Sequence, residues 1–171
     1  MIRGCYRFAS YAATGSAEAE PREVTLLGSG AILTEVIKAA GLLADEGIDA
    51  TVFSVTSWSE LARDGQACEA AMLSGEAVVQ PFIARQLGAS AGPIVAATDY
   101  VRAVPESVRA FMPEGRRYLT LGTDGFGRSD TRAALRDFFG VDAAHIADAA
   151  RHLLASVPVS PTHSRLGAGQ P

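Results

Sequence analysis

Leu119-Thr-Leu-Gly-Thr-Asp-Gly-Phe-Gly-Arg-Ser-Asp130 is the stretch on which the fold turns. Tyr118, Leu119 and Leu121 favour a β-strand, three glycines follow, and Ser129 or Asp130 stands where a helix N-cap is needed. The segment therefore predicts a strand, a tight loop and a helix start. In an open α/β sheet such a loop lies at the carboxyl ends of the strands, where these folds place their working surface. Asp124, Arg128, Ser129 and Asp130 are too polar for a core. Phe126, set between two glycines without an apolar neighbour in sequence, is expected to dock into another surface.

Working outward, the same strand-then-helix pattern recurs. Val24-Thr-Leu-Leu-Gly28 predicts a buried strand, and Gly28-Ser29-Gly30 turns it into a helix over about 31–46, with Ile32, Val36, Ala39 and Leu43 on one face. Gly47 suits the helix C′ position, with Ile48 packing back on Leu43. Ala50–Val55 is a second strand, so the unit predicts a parallel crossover. Ser57 and Glu60 have capping-box spacing for a helix from Trp58, interrupted near Gly65 and resuming to Leu73. Residues 74–92 read as irregular, with a helical turn after Pro81. Pro93–Thr98 is a third strand and Arg117–Gly122 a fourth, with Pro105 opening a helix to about Met112 between them. Helices over Thr131–Phe139 and Ala143–Ala155 close the domain, the last capped by Asp142 and stapled by Val141 on Ile146. These elements make an α/β three-layer sandwich with a mainly parallel sheet over 23–155.

The flanks read differently. Residues 1–8 alternate loosely as a strand with no evident partner. Residues 9–22 are small and polar, a linker, and 156–171 carry prolines and glycines without apolar periodicity, a disordered tail.

Composition narrows the function. The 171 residues are 48% hydrophobic and 20% charged, enough for one cored domain. A net charge of −4 argues against a nucleic-acid surface. Lys38 is the only lysine among the basic residues, a bias that reads as coding composition. No apolar run reaches the roughly 20 residues needed to span a bilayer. The first residues lack a signal-peptide core, and Cys5 and Cys68 lie in no metal-binding or redox pattern, so the expectation is free thiols and a cytoplasmic location.

Chemistry-bearing motifs are sparse. Gly28-Ser29-Gly30 is a possible anion turn, but Leu33 occupies the third glycine position of the dinucleotide pattern and no P-loop is present. The competing reading is a tight strand–helix junction. Asp99, Asp124 and Asp130 follow strand ends and could gather for acid–base or metal work, or simply cap turns and pair across interfaces. His145 and His152 share a helix face without a third ligand, and Ser59 and Ser129 have no paired His and Asp at a recognisable spacing. Arg63, Arg128 and Arg132 read as ion-pair partners. No catalytic, cofactor-binding or metal residue is assigned. The candidate contact residues are Arg63, Asp99, Asp124, Phe126, Arg128, Ser129 and Asp130.

Four runs taken together, Leu26–Leu33, Phe53-Ser-Val-Thr-Ser-Trp-Ser-Glu-Leu-Ala-Arg-Asp-Gly65, Ala97-Thr-Asp-Tyr100 and Leu121-Gly-Thr-Asp-Gly-Phe-Gly-Arg-Ser-Asp-Thr-Arg132, resemble the C-terminal domain of the homodimeric pyruvate dehydrogenase E1 component. That family is thiamine-diphosphate-dependent and transketolase-like, and the resemblance extends over about residues 1–155. It implies a transketolase C-terminal-domain fold and a structural, dimer-forming role. It further implies a parent enzyme that uses thiamine diphosphate and Mg2+ to decarboxylate pyruvate and reductively acetylate lipoyl groups. The implied partners are the preceding N-terminal and middle domains, a second E1 subunit and the E2 lipoyl acyltransferase, with residues 1–8 as the exit of the preceding domain. The family's G-D-G…N cofactor motif is missing, since Thr123 precedes Asp124-Gly125. The chain alone is therefore expected to be inactive and to hold no cofactor. A stand-alone anion-binding regulatory module and a self-associating assembly domain remain the alternatives.

Overall fold

A computed structural model describes residues 3–14 and 22–156. Five strands, β1 (Cys5–Tyr11), β2 (Arg22–Ser29), β3 (Ile48–Val55), β4 (Ile94–Ala97) and β5 (Tyr118–Leu121), form one sheet in the order β1-β3-β2-β4-β5. All neighbours are parallel except β1, which runs antiparallel to β3. The helices are α1 (Leu33–Asp45), α2 (Trp58–Leu73), α3 (Phe82–Leu87), α4 (Ala103–Glu106), α5 (Arg132–Phe138) and α6 (Ala143–Ala155).

The two-residue period of the strands sorts their side chains onto two faces. Val24, Leu26, Val52, Val95 and Ala97 point toward α1 and α6, where Val36, Leu43, Ile146 and Ala150 complete one core. Leu27, Phe53, Val55, Ile94 and Tyr118 point the other way, onto Trp58 and Leu61 of α2, Ile83 and Leu87 of α3, and Phe111. The expected three layers are therefore present. Local signals also hold. Gly47 takes φ +78° after α1, Ser57 Oγ accepts from Glu60 N at 3.2 Å, and Asp142 Oδ1 accepts from His145 N at 2.9 Å.

Several expectations are corrected. The N-terminal strand does have a partner in this chain: β1 pairs with β3 from Cys5↔Val55 to Tyr11↔Ala50, so residues 9–11, read as linker, are sheet. Residues 15–21 of that linker, and 157–171 of the tail, lie outside the described residues. Helix α2 runs unbroken through Gly65. There a Cβ would stand 2.3 Å from the Phe111 ring, so the glycine admits a packed aromatic rather than ending a helix. Pro105 is the third residue of the four-residue α4, and a separate 3-10 turn at Arg109–Phe111 replaces the predicted continuation. The N-cap of α5 is Thr131, whose Oγ1 accepts from Ala134 N at 3.3 Å, and neither Ser129 nor Asp130 takes that place.

Candidate functional site

From β2 the chain crosses to β3 on one side and later returns to β4 on the other, so strand order reverses between β2 and β4. In doubly wound sheets the crevice at such a reversal stays open at the carboxyl ends of the strands. Here it holds a cleft of about 500 Å3 between the start of α1, the loop after β4, the loop after β5, and α5. Ile32, Leu135, Phe139 and Val141 give it an apolar wall, while Asp99, Thr123, Arg128, Arg132 and Arg136 line the rest.

The Gly28-Ser29-Gly30 turn forms one lip, and each of its residues has a packing reason. A Cβ at Gly28 would lie 3.0 Å from Leu33 Cα, so glycine lets the helix sit close on the strand. Buried Ser29 donates from Oγ to Thr98 Oγ1 at 2.9 Å. Gly30 takes φ +55°, and the Asp99 carboxylate stands 3.4 Å from where its Cβ would be. An anion held by this turn would face that carboxylate at close range, which opposes binding. The tight-junction reading thus accounts for all three residues.

Hydrogen bonds to the loop after β4 tie the loop after β5 at its beginning. Thr123 Oγ1 donates to the Asp99 carbonyl at 2.8 Å, and Asp124 Oδ1 accepts from Arg102 N at the same distance. Beyond that point residues 124–133 are all exposed. Phe126 is 97% exposed. The Arg128 guanidinium lies over the Phe138 ring, 4.4 Å from its centroid, and Phe138 meets Phe139 edge-on at 5.0 Å. Asp130 Oδ1 accepts from Thr131 N at 2.7 Å, and Ser129 is exposed in the same loop. The structure thus brings Asp99, Phe126 and Arg128 together in the cleft, with Asp124, Ser129 and Asp130 in the same loop. Arg63 stands apart on α2, paired with Glu60.

Asp99, Asp124 and Asp130 do not converge. Among the described residues, the group of three candidate ligands whose atoms lie within 4.8 Å of one another is Asp137, Asp142 and His145. Asp142 is already committed to capping α6 and to His145 Nδ1 at 2.8 Å.

Four residues of the cleft or its support escaped the sequence reading as contact residues: Glu35, Arg132, Arg136 and Phe138. Glu35 is buried, at 6% exposure. Its carboxylate accepts from Lys38 Nζ at 2.9 Å, Arg136 Nη1 at 2.8 Å and Ala143 N at 3.3 Å, joining α1 to α5 and to the start of α6. Burial by itself pushes its pKa up. The Lys38 hydrogen bond and charge, the Ala143 N–H and the Arg136 charge more than offset that and hold it below the usual carboxylate range. A sequence signal for it existed: Glu35 lies three residues after Ile32 and four before Ala39, on the apolar stripe, where a carboxylate needs a buried partner.

Comparison with known proteins agrees with this architecture. The family model described as "Transketolase-like TK C-terminal domain" matches residues 4–142. The chain is 45% identical over 158 residues to the pyruvate dehydrogenase E1 component of Cupriavidus necator, covering 91% of this chain and 17% of that protein. It is 48% identical over 141 residues to the Escherichia coli K12 protein of the same name, covering 81% and 16%. The corresponding Mycobacterium tuberculosis protein is 44% identical over 146 residues, covering 84% and 15%. The chain therefore spans about one sixth of the length of these relatives. Among solved structures, transketolase from Leishmania mexicana superposes with a TM-score of 0.55 at 20% identity, over 91% of this chain and 18% of that one.

Proposed function

Since the chain belongs to the transketolase-like TK C-terminal domain family, we propose that it serves as the C-terminal domain of a pyruvate dehydrogenase E1 component, a cytoplasmic, dimeric enzyme. Its role there is structural. It buttresses the domains that carry the cofactor and contributes to the subunit contact. The parent decarboxylates pyruvate on thiamine diphosphate with Mg2+ and passes the acetyl group to a lipoyl group of an E2 acyltransferase.

Among the described residues, the acidic groups do not fit the metal ion that accompanies thiamine diphosphate. Mg2+ requires oxygen ligands in near-octahedral array. Asp124 and Asp130 each accept from a backbone N–H in a different place, and the Asp137–Asp142–His145 group offers a histidine and a carboxylate already used as a helix cap. Holding the cofactor is accordingly a task for the other domains, and no chemical step is assigned to a residue of this chain.

One observation carries the proposal. Helix α5 has no buried residue, and the loop before it presents Phe126 almost wholly to solvent, with Phe138 59% exposed beside it. Large aromatics left uncovered on a polar loop mark a contact surface, and buried aromatics of this kind dominate interface energies. Replacing Phe126 and Arg128 by Ala in the full-length enzyme is expected to raise the dimer dissociation constant and lower pyruvate turnover. The same changes should leave the thermal unfolding of the 171-residue chain where it was. Wild-type dimerisation and turnover in the double variant, or pyruvate decarboxylation by the 171-residue chain alone, would overturn the proposal.

A further inference from the structure

Independently of the role proposed above, we infer that the outer edge of β5 is the docking site of this chain's own segment Val157-Pro-Val-Ser160, which runs parallel to the strand and packs Val157 and Val159 beside Leu119 and Leu153. The segment lies outside the described residues. Its place follows from the surface beside β5 and from the point at which the chain leaves α6.

β5 ends the sheet on one side, and among the described residues it pairs with β4 alone. Ile94 N donates to Arg117 O at 2.8 Å and Thr98 N to Leu121 O at 3.1 Å, so residues 117 and 121 turn their backbone toward β4. Alternation along the strand then turns the backbone groups of Tyr118 and Thr120 outward. The Tyr118 carbonyl is met there by Arg109 Nη1 at 2.9 Å, which leaves it a second lone pair. A groove of about 550 Å3 follows this edge, lined among others by Leu119, Thr120 and Leu153 of α6. An open edge of this kind is a template for a further strand.

The exit of the chain selects the occupant. α6 ends at Ala155, and the Ser156 carbonyl accepts from Arg117 Nη1 at 3.0 Å. Arg117 immediately precedes β5 and lines the same groove. The residues after Ser156 therefore start at the amino end of β5, and four of them at ~3.3 Å each match the four of the strand. Arg117 Nη2 is buried without a hydrogen-bond partner among the described residues. A buried donor needs an acceptor, and the carbonyls next along the chain from Ser156 supply one. The sequence of the segment agrees with an outer strand. Two β-branched valines alternate at 157 and 159. With their backbone groups turned to β5, Pro158 between them faces solvent, the one strand position where its missing N–H costs no ladder bond. The same register sets both valines on the face of Leu119, which packs against the core that holds Leu153.

NMR of the 171-residue chain tests the docking. Cross-relaxation is expected between the methyls of Val157 or Val159 and those of Leu119 or Leu153. The Thr120 amide should exchange at least about tenfold more slowly than in a chain ending at Ser156. That shorter chain keeps every residue of both cores and is expected to fold. Val157→Asp with Val159→Asp in the 171-residue chain should remove the cross-peaks and speed Thr120 exchange to the rate of the shorter chain. Missing cross-peaks in the unaltered chain, or equal Thr120 exchange in the long and short chains, would overturn the inference. So would protection that rises with protein concentration, which would put a second copy on the edge, or protection confined to the full-length enzyme, which would put a neighbouring domain there.

Discussion

Gly65→Ala is the sharpest test of how the second core is packed, because two principles give it opposite signs. Inside an exposed helix, alanine is worth about 1 kcal/mol over glycine. Gly65 is buried in α2, however, and its added methyl would stand 2.3 Å from Cγ and Cδ2 of Phe111 and 2.6 Å from Cδ1. Ordinary contact begins near 3.4 Å, so the ring must retreat by about 1 Å. Phe111 is 6% exposed, ends the Arg109–Phe111 3-10 turn and packs in the core with Val108, Leu61 and Trp58, so it has little room to give. Overpacking of this kind costs about 1–3 kcal/mol. With the contact this short, the upper part of that range applies, and the net loss after the propensity gain is about 2 kcal/mol. Urea unfolding of the 171-residue chain should show that loss at an unchanged m-value, with a melting temperature lower by about 4–8 °C. In a Phe111→Ala background the clash is gone and Gly65→Ala should become neutral or stabilising. A Gly65→Ala variant as stable as the parent, or a penalty that persists without Phe111, would refute the packing argument.

Two further expectations concern titration and thiols. Glu106 is held down to about 2, first by its hydrogen bond to Arg109, with Thr120 and the Arg109 charge adding to it and burial opposing. Glu35 is lowered as well, so both carboxylates stabilise the fold above the ordinary carboxylate range; Glu106 loses that contribution as pH falls toward 2, and Glu35 as pH falls through its own lowered value. Glu106→Gln should remove about 1–2 kcal/mol at pH 7, discounted for partial exposure, and flatten the decline in urea midpoint between about pH 5 and pH 3. An identical slope in variant and wild type would exclude the linkage. Burial pushes the Cys5 thiol up to about 11, whereas Cys68 is half-buried on α2. A disulfide reagent at about pH 8 should therefore modify Cys68 in the native chain and reach Cys5 only on unfolding. Rapid native labelling of both would contradict the burial of Cys5.

The elements legible in the sequence were those whose signals are local. The stripe Ile32, Val36, Ala39, Leu43 announced α1, the Ser57–Glu60 box started α2, and Asp142 started α6, because each depends on residues a few positions apart. What was illegible depends on distant partners. β1 finds β3 about forty to fifty residues away, and its alternation is broken by a register shift between Arg7 and Ala9, so neither pattern nor proximity revealed the pair. Gly65 looked like a breaker because the ring that requires it comes from Phe111. In the candidate site, Phe126 and Arg128 stood out as residues a core would not accept. Glu35 did not, because its partner Arg136 lies 101 positions away.

That same ion pair explains how the cleft can be both defined and adaptable. A helix of seven residues does not hold its shape in water on local hydrogen bonds alone, since nucleation consumes most of what propagation returns. α5 draws little on core burial either, because none of its residues is fully buried and only Ala134, Leu135 and Arg136 are half-buried. What fixes it is the Thr131 cap at one end and the Arg136–Glu35 pair at the other, with Glu35 anchored in the rigid face of α1. The two cores, by contrast, close without any residue of α5, apart from the partly buried Phe139 just past its end. The domain can therefore stay folded while this wall of the cleft yields to what it meets. A surface with a well-packed floor and a wall held by few contacts is one in which a partner supplies the missing order, so binding should tighten α5 and leave the sheet unchanged.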